Sequence, residues 1–462
     1  MARTLIYACG QVDYFTIFAM QEVFRLLGVR NLTANAEHCL NAGAVHNEIL
    51  TGQEGPFLKA EQGLRGSNLF YLLNGWNGFV THPPVFGAIM RREALDAYLV
   101  DVMVTESAKA LAGKLGPDRV LLIRPRGDPH LALAVAHEVL AKYPEALEKR
   151  FIQRYADVAT FEKYAALARS EMFEPERVAE RIAPEPQYVE RLTRGIQDIA
   201  AKLASPGVVP INIPSVGLSQ TSGVVAHCLW GSLLAMLGKY GLGPDGSPVG
   251  GTLRFPGQIN AESEVQGLSR KYFMGRIPVD DAAEAARRLG LPDDAYDLVL
   301  EDTPRAALDY SDETPGVREL FICFGTEFAS NMMGRSGWLR KLEDAGTTLV
   351  VIDPIPEPYA INHAHLIVPS PPHPATTKLY QNGEWKLSLS VSQKRAAKET
   401  RSDPTIIYDV MAEMIVGWSR MPPSRRRAPT SRDTRARATC DRASPTPRIT
   451  TPREGWCALT AR

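Results

Sequence analysis

The sequence lacks the cysteine pairs from which small metal sites and disulfide frameworks are built. Its six cysteines are scattered over 462 residues without a Cys-x-x-Cys pair. The spacing therefore indicates neither a disulfide framework nor a self-contained zinc or iron–sulfur site. A Walker A loop, an H-E-x-x-H pair and a G-x-S-x-G elbow are also missing, which excludes the commoner phosphate, zinc and serine chemistries.

Long apolar runs are missing as well. No run approaches the roughly 18 residues that a membrane-spanning helix needs. Residues 1–7 show no basic start followed by a long apolar region, so no signal peptide is indicated. With 45% hydrophobic and 23% charged residues, the composition is that of a globular protein with large cores. We expect a cytoplasmic protein with no membrane span.

The net charge of zero hides an uneven distribution. Residues 421–462 contain ten arginines, no lysine and three acidic residues, which leaves residues 1–420 with a net charge of −7. The acidic body gives no reason to expect nucleic acid as a partner. The tail has no apolar periodicity and predicts disorder. A basic arm for anionic partners is one interpretation.

A frameshift near Arg420 is the interpretation that we favour for this tail. Its Arg, Pro, Ser, Thr and Ala begin abruptly after the helix-like segment IIYDVMAEMIVGWSR, as GC-rich DNA read out of frame would. Resequencing the locus tests this. An intact downstream frame that continues the fold is the expected result, and the absence of such a frame contradicts it.

Short apolar runs alternate with helical patterns along the rest of the chain. The first apolar run, TLIYA, is followed by a helical pattern. A second series contains the runs LFYLL, AYLVDVMV and RVLLIRP, and a third contains ELFICFG, TTLVVIDP and HLIVP. Such alternation predicts parallel sheets covered by helices on both faces. Three stretches are predicted as turns or loops, namely a polar turn within residues 31–48 that leads into the short helix AGAVHNEILTG, a loop at residues 52–67 and a long glycine-rich connection at residues 241–267.

Candidate site residues lie where the predicted strands end. Asp101 and Asp128 follow successive strands, and a carboxylate there accepts hydrogen bonds from the amidine edge of a guanine or from a ribose hydroxyl. A helix N-cap is an equally good interpretation for them. Gly75 and Asn77 would let the backbone approach a phosphate, although a plain turn also explains both.

Cys39 is the candidate for metal or redox chemistry. It follows His38 at a loop-to-helix junction, where the amide dipoles of a helix start favour a thiolate. A thiolate binds soft metals. The alternative is a small buried apolar residue, which a lone cysteine often is.

A series of loose motifs in one order resembles the molybdopterin oxidoreductases of the dimethyl sulfoxide reductase and formate dehydrogenase superfamily, over about residues 3–418. The segment NLTANAEHC places Cys39 where that family has its metal ligand. Further residues match the motifs that hold the cofactor, in chain order Gly75, Trp76 and Asn77, then Asp101 and Glu106, Asp128, Gly217 and Gln220, Gly257 and Gln258, and finally Gly325 and Asp353.

The resemblance implies two doubly wound, Rossmann-like domains, one inserted in the other. Residues 1–35 and 256–405 would form a discontinuous domain, residues 36–255 the inserted domain and residues 406–420 a terminal helix. A bis(molybdopterin guanine dinucleotide) cofactor with Mo or W would lie between them, with Cys39 as the metal ligand. His38 and Arg254 would orient a small-molecule substrate.

The implied activity is that of a formate-dehydrogenase-like oxidoreductase. The chain has no iron–sulfur cluster ligands of its own, so its electrons would leave through an iron–sulfur partner subunit. Leu40, Met103 and Pro256 depart from the family pattern. They favour an alternative, a non-catalytic scaffold that keeps the fold without metal, and the tail favours another, an inactive frameshifted remnant.

Overall fold

The structure is a computed structural model. It describes residues 4–26, 29, 31–34, 49–50, 58, 60–215, 218, 223–243, 245–255, 260–261, 272–273, 277–278, 320–326, 346–381 and 387–420. The chain separates into two units, Met1–Tyr408 and Asp409–Arg462.

The described strands are, in chain order, β1 (Thr4–Ala8), β2 (Asn31–Ala34), β3 (Leu69–Asn74), β4 (Asp96–Asp101), β5 (Val120–Leu122), β6 (Val209–Pro214), β7 (Gly241–Leu242), β8 (Pro248–Thr252), β9 (Tyr272–Phe273), β10 (Ile277–Pro278), β11 (Leu320–Phe324), β12 (Thr348–Asp353), β13 (Leu366–Pro369), β14 (Lys378–Gln381) and β15 (Leu387–Ser390).

The described α-helices are, in chain order, α1 (Tyr14–Leu26), α2 (Ala60–Leu64), α3 (Gly78–Thr81), α4 (Pro83–Met90), α5 (Glu106–Leu115), α6 (Asp128–Lys142), α7 (Lys149–Tyr155), α8 (Val158–Ala168), α9 (Pro175–Ile182), α10 (Val189–Ala204), α11 (Gly223–Met236), α12 (Pro358–His363) and α13 (Asp403–Arg420).

A five-stranded sheet joins strands from distant parts of the chain. Its order is β13-β12-β11-β1-β2, and all neighbouring strands are parallel. Thr4 of β1 lies opposite Leu320 of β11. Every residue of β1 is buried, as expected for the middle of a parallel sheet covered on both faces.

A six-stranded sheet is built from the middle of the chain. Its order is β5-β4-β3-β6-β8-β7, and only the outer pair β7 and β8 is antiparallel. Phe70 and Leu72 of β3 belong to one apolar core, and Tyr71 and Leu73 belong to another. Because successive side chains of a strand point to opposite faces, β3 contributes to the core on each side of the sheet.

The helices cover the sheets with apolar faces at helical spacing. In α10 the buried residues include Leu192, Ile196, Ile199 and Leu203, and they pack in the same core as Phe70. Glu190 and Arg194 of the same helix are exposed, as the polar face of an amphipathic helix requires.

Each sheet has one point at which the order of strands reverses. In the five-stranded sheet, β2 lies on one side of β1, and β11, β12 and β13 continue on the other. In the six-stranded sheet, β4 and β5 lie on one side of β3, and β6 and β8 lie on the other. Crevices form at such points, because the connections leave the sheet in opposite directions there.

The α/β class predicted from the sequence is confirmed, but three stretches predicted as irregular were wrong in part. Residues 31–48 begin with β2, which pairs with β1. The loop at residues 52–67 contains α2. The connection at residues 241–267 contains β7 and β8, and Gly251 of β8 lies opposite Ile211 of β6. In each case contacts with distant segments outweigh local polar or glycine-rich composition.

Other expectations have different outcomes. The terminal helix predicted at residues 406–420 lies within α13, and the hairpin of β14 and β15 was not predicted. The tail at residues 421–462 lies outside the described residues. The division into a discontinuous and an inserted domain stays a prediction. In the described part of the chain, no helix combines the length and the apolar character that crossing a membrane requires.

Gly325 offers a direct test of the five-stranded sheet. It follows β11 with φ +62°, and a Cβ there would lie 2.8 Å from Cγ1 of Val12. We expect Gly325→Ala to lower the free energy of unfolding by about 1 to 2 kcal/mol, since a side chain is strained in this conformation. Urea unfolding followed by circular dichroism measures the change.

Gly113→Ala is the matched control. Gly113 lies inside α5, and nothing lies within 4 Å of its Cβ position. Alanine there should stabilise the helix by up to about 1 kcal/mol. Equal effects of the two substitutions would contradict the assignment of strain to Gly325.

Candidate functional site

The two sheets share one local arrangement at their carboxyl edges. Gly75 follows β3 with φ 61°, and its N–H donates to the carbonyl of Val100 (2.8 Å) in β4. Gly325 follows β11 with φ 62°, and its N–H donates to the carbonyl of Ile352 (2.8 Å) in β12. The glycines turn the chain away from the sheet, because their conformation is one that side chains rarely adopt.

An aspartate ends the neighbouring strand in both sheets. Asp101 is the last residue of β4, and its Oδ1 accepts from the N–H of Val102 (2.7 Å). Asp353 is the last residue of β12, and its Oδ1 accepts from the N–H of Ile355 (2.7 Å). Both predicted carboxylates therefore lie at the carboxyl edge of a parallel sheet, where ligands bind in folds of this kind.

Asn77 and Glu106 connect two loops of the six-stranded sheet. The Nδ2 of Asn77 donates to Oε2 of Glu106 (2.9 Å), and its Oδ1 accepts from the N–H (3.2 Å) and Oγ (3.0 Å) of Ser107. The hydrogen bond from Asn77 lowers the pKa of Glu106. The side chain of Asn77 therefore fixes the loop after β3 against the start of α5.

Trp76 is part of the core. It is fully buried, stacks on Phe255 with ring centroids 5.6 Å apart, and donates from Nε1 to Nδ1 of His82 (3.2 Å). The sequence-based hypothesis made it a cofactor-binding residue, and that assignment stays a prediction.

Polar side chains connect β3 and β6 at the point where the strand order of the six-stranded sheet reverses. Asn74 of β3 and Asn212 of β6 are both buried, and the Nδ2 of Asn74 donates to Oδ1 of Asn212 (2.7 Å). The N–H of Ser215 donates to the carbonyl of Asn74 (3.0 Å). These bonds hold β3 and β6 together where the strand order changes direction.

Asp128 is a buried carboxylate whose pKa is affected by the charge of Asp101. Asp128 is the first residue of α6 and is 8% exposed. Burial raises its pKa to about 6, and the negative charge of Asp101 adds to that increase. Burial also raises the pKa of Asp101. The N-cap of α6 is Gly127 and no side chain caps this helix, so the N-cap interpretation of Asp128 is wrong, and its role as an acceptor for a ligand stays a prediction.

A cavity of about 600 Å³ lies at the reversal point of the five-stranded sheet. Cys9 and Gln11 line it after β1, Gly325 and Thr326 after β11, and Asp353 and Glu357 after β12. Apolar walls come from Val12, Val351, Ile355 and several prolines. Its volume is in the range of small-molecule sites.

Buried charges border this cavity. The Nζ of Lys378 lies 3.7 Å from Oδ2 of Asp403, and both side chains are buried. Asp13 is buried at the start of α1, where its Oδ1 accepts from the N–H of Phe15 (3.1 Å) and of Leu379 (3.4 Å). Burial raises the pKa of Asp13 and of Asp403, and the charge of Lys378 counteracts both increases. The ammonium of Lys378 thus lies near two buried carboxylates, those of Asp13 and Asp403.

His373 lines the same cavity and contacts Tyr380. The two rings stack with centroids 5.3 Å apart and planes 12° from parallel, and the Tyr380 hydroxyl hydrogen-bonds Nδ1 of His373. Burial and the charge of Lys378 lower the pKa of His373. Burial and the charges of Asp13 and Asp403 raise the pKa of Tyr380 to about 12.

These residues were missed by the sequence reasoning. A signal was available for His373, because it follows β13 within a proline-rich loop, and the same rule that selected Asp353 after β12 applies to it. Asp13, Lys378 and Asp403 gave no signal, since only the packing of α1, β14 and α13 brings them near one another.

Arg254 is buried, and its positive charge counteracts the burial that raises the pKa of Tyr240 to about 12. The other predicted residues lie outside the described part of the chain, namely His38, Cys39, Gly217, Gln220, Gly257 and Gln258. Within the part that is described, no group of three or more His, Cys, Asp or Glu side chains is placed to hold a metal ion.

Comparisons with known proteins give matches among solved structures only. No family model and no curated protein matches the sequence. Among solved structures, the chain is similar to one from the formyltransferase/hydrolase complex FhcABCD of Methylorubrum extorquens, determined with methylofuran. The sequence identity is 12% and the TM-score 0.48, over 90% of this chain and 93% of that one.

The expected membership of the molybdopterin oxidoreductases is wrong. No family model matches the sequence, and the similar structure is that of a formyltransferase/hydrolase complex, not of a molybdopterin oxidoreductase. The formate-dehydrogenase-like activity falls with it, whereas the role of Cys39 as a metal ligand stays a prediction, since Cys39 lies outside the described residues. The scaffold and frameshifted-remnant alternatives gain no better support.

The raised pKa of Asp128 predicts a pH-dependent effect of Asp128→Asn. The folded state holds the proton more tightly than the unfolded chain, so wild-type stability falls as the pH rises from about 4 to above 6. The variant does not lose this stability. Its advantage over the wild type should grow across that range to about 2 to 3 kcal/mol, for a pKa shift of about two units.

Urea unfolding at pH 4.5 and pH 7.5 measures this advantage. Asp118→Asn is the control, because it makes the same chemical change at an exposed position. A difference between Asp128→Asn and wild type that is the same at both pH values would contradict the assignment.

Proposed function

We propose that this chain is the ligand-binding subunit of an enzyme, and that the cavity between β1 and β11 binds a guanine nucleoside or nucleotide with its base inside. The observation that carries the proposal is an acidic cavity of about 600 Å³ at the point where the strand order reverses. In open parallel sheets this is the preferred position for ligands.

The lining of the cavity favours a ligand rich in hydrogen-bond donors. Asp353 and Glu357 lie on one side of it, and ionised carboxylates only accept hydrogen bonds. A guanine base donates from N1–H and from its exocyclic amino group, and a ribose donates from its hydroxyls. Val12, Val351 and Ile355 supply apolar surface for a flat ring.

The cavity does not favour a phosphate as the buried part of the ligand. Asp13 already accepts hydrogen bonds at the start of α1, which is the end of a helix where anions otherwise bind. Asp403 lies against Lys378, the one lysine among the described residues that line the cavity. We therefore propose that the base enters the cavity and that any phosphates lie towards solvent.

The finer architecture is part of the same proposal. Two doubly wound domains, formed by residues 1–35 with 256–405 and by residues 36–255, are supported by the two strand orders. Of the cofactor that the resemblance implied, we retain only the guanine nucleotide portion, because its base carries the donor groups that the carboxylates accept.

A partner chain also remains a proposal. Phe79 and Val80 of α3 and Met103 and Val104 after β4 are apolar side chains that are half or more exposed. Asn77, Glu106 and Ser107 hold these two segments side by side. Exposed apolar patches of this kind are typical of contacts between proteins. Cytoplasmic localisation stays a prediction from composition.

Asp353→Asn tests the proposed function. We expect the wild type to bind guanosine monophosphate in isothermal titration calorimetry. The variant should bind about 10- to 100-fold more weakly, because a hydrogen bond to a charged acceptor contributes about 1.5 to 3 kcal/mol. The side chain stays similar in size, so the fold should be retained.

Asp118→Asn again serves as the control and should bind as the wild type does, since Asp118 is an exposed residue that does not line the cavity. Two outcomes contradict the proposal. One is that the wild type binds no guanine nucleoside or nucleotide, and the other is that Asp353→Asn binds with unchanged affinity.

A further inference from the structure

The cavity carries a second kind of group that the carboxylates do not explain. His373 and Lys378 line it together with Asp353 and Glu357. The Lys378 ammonium donates hydrogen bonds and the His373 imidazole can donate one, whereas ionised carboxylates only accept them. The following inference deepens the proposed function and rests on it.

The contact with Tyr380 determines which nitrogen of His373 carries the proton. The Tyr380 hydroxyl hydrogen-bonds Nδ1. Tyr380 is 6% exposed, and a buried phenol proton needs an acceptor, since an unpaired buried donor is costly. The phenol therefore donates to Nδ1. In a neutral imidazole with Nδ1 as the acceptor, the proton lies on Nε2.

The stacked rings and the surrounding charges also support a neutral His373 with its proton on Nε2. The planes of His373 and Tyr380 lie 12° from parallel, so the orientation of the imidazole is fixed by packing. Burial and Lys378 favour the neutral form of His373, although Asp403 opposes them. Burial and the charges of Asp13 and Asp403 also keep Tyr380 protonated. His373 is thus an uncharged donor.

The charge balance selects the kind of acceptor that His373 meets. Lys378 is paired with Asp403, and Asp13 lies near both. Asp353 and Glu357 line the same cavity. Among the described residues at this cavity, acidic groups therefore outnumber the one lysine. A phosphate or carboxylate of the ligand would be repelled here, whereas an uncharged carbonyl oxygen would not.

We propose that His373 is a specificity-determining residue of this cavity, and that its Nε2–H donates to the uncharged carbonyl oxygen of a 6-oxopurine base. Tyr380 acts as a positioning residue, since it fixes the tautomer of His373. The cavity would then accept guanosine and reject bases that lack the carbonyl oxygen.

Guanosine and 6-thioguanosine are the probes that isolate this contact, because sulfur replaces only the carbonyl oxygen and is a weak acceptor. The wild type should bind guanosine about tenfold more tightly than 6-thioguanosine, which corresponds to one hydrogen bond. His373→Ala should lose this preference. His373→Gln should keep part of it, since its amide carries a donor near the position of Nε2. Inorganic phosphate should not displace guanosine.

A second measurement tests the tautomer without any ligand. The ¹⁵N shifts of the histidines in labelled protein, assigned by comparison with His373→Gln, should show His373 neutral and protonated on Nε2 at neutral pH. Tyr380→Phe should mix the two tautomers and reduce the preference for guanosine, while circular dichroism shows a retained fold.

The outcomes separate this inference from the proposed function. If guanosine binds and Asp353→Asn weakens it, but His373→Ala keeps the wild-type preference over 6-thioguanosine, the proposed function stands and the role of His373 is overturned. A proton on Nδ1, or a charged His373 at neutral pH, also overturns that role. If no guanine nucleoside or nucleotide binds, both the proposed function and the role of His373 fall.

Discussion

The parallel pairing of β1 with β11 is the constraint on which the rest of the site depends. It places Thr4 opposite Leu320 and so brings segments from far apart in the chain into one sheet. The loops after these two strands then lie side by side and line the cavity. Helix α1 starts beside it, and Asp13 at that start bonds to the backbone of β14. Without this pairing, the cavity and its charges would have no common framework.

Charge balance around the cavity follows from helix starts as much as from side-chain pairs. Asp13 precedes α1, and Asp403 begins α13. A carboxylate is stabilised at such a position by the helix dipole. Lys378 lies near both carboxylates and compensates them in part. A buried group of this kind contributes little net stability, because desolvation offsets the attraction. Its consequence is selectivity, since it sets which ligand charges are tolerated.

The sequence predicted the architecture better than the site. Buried strands such as β1, β3 and β11 are continuous apolar runs, and these are read without knowledge of tertiary contacts. The carboxyl-edge rule then located Asp101, Asp128, Gly325 and Asp353 at the correct edges. β2 and β8 were missed because their stability comes from pairing with β1 and β6, which local composition does not show.

The contacts made by residues at the carboxyl edges of the two sheets could not be predicted for a related reason. A motif identifies which residues follow a strand, but not what their polar atoms contact. Asn77 and Trp76 matched cofactor-binding motifs, and these motifs did not show that Asn77 bonds to Ser107 or that Trp76 stacks on Phe255. Conversely, His373 and Tyr380 come together through the hairpin of β14, which no periodicity indicated. The family assignment failed because loose motifs of this kind recur wherever strands end in turns.

The two glycine turns have one more consequence. The amides of Gly75 and Gly325 each donate to a carbonyl of the adjoining strand, so neither is left for a bound anion. The backbone amides at these two positions therefore cannot bind a phosphate in the way that the amides of phosphate-binding loops do. Any ligand selectivity at these two sheet edges must therefore come from side chains. Single substitutions can change these side chains while the turns stay intact.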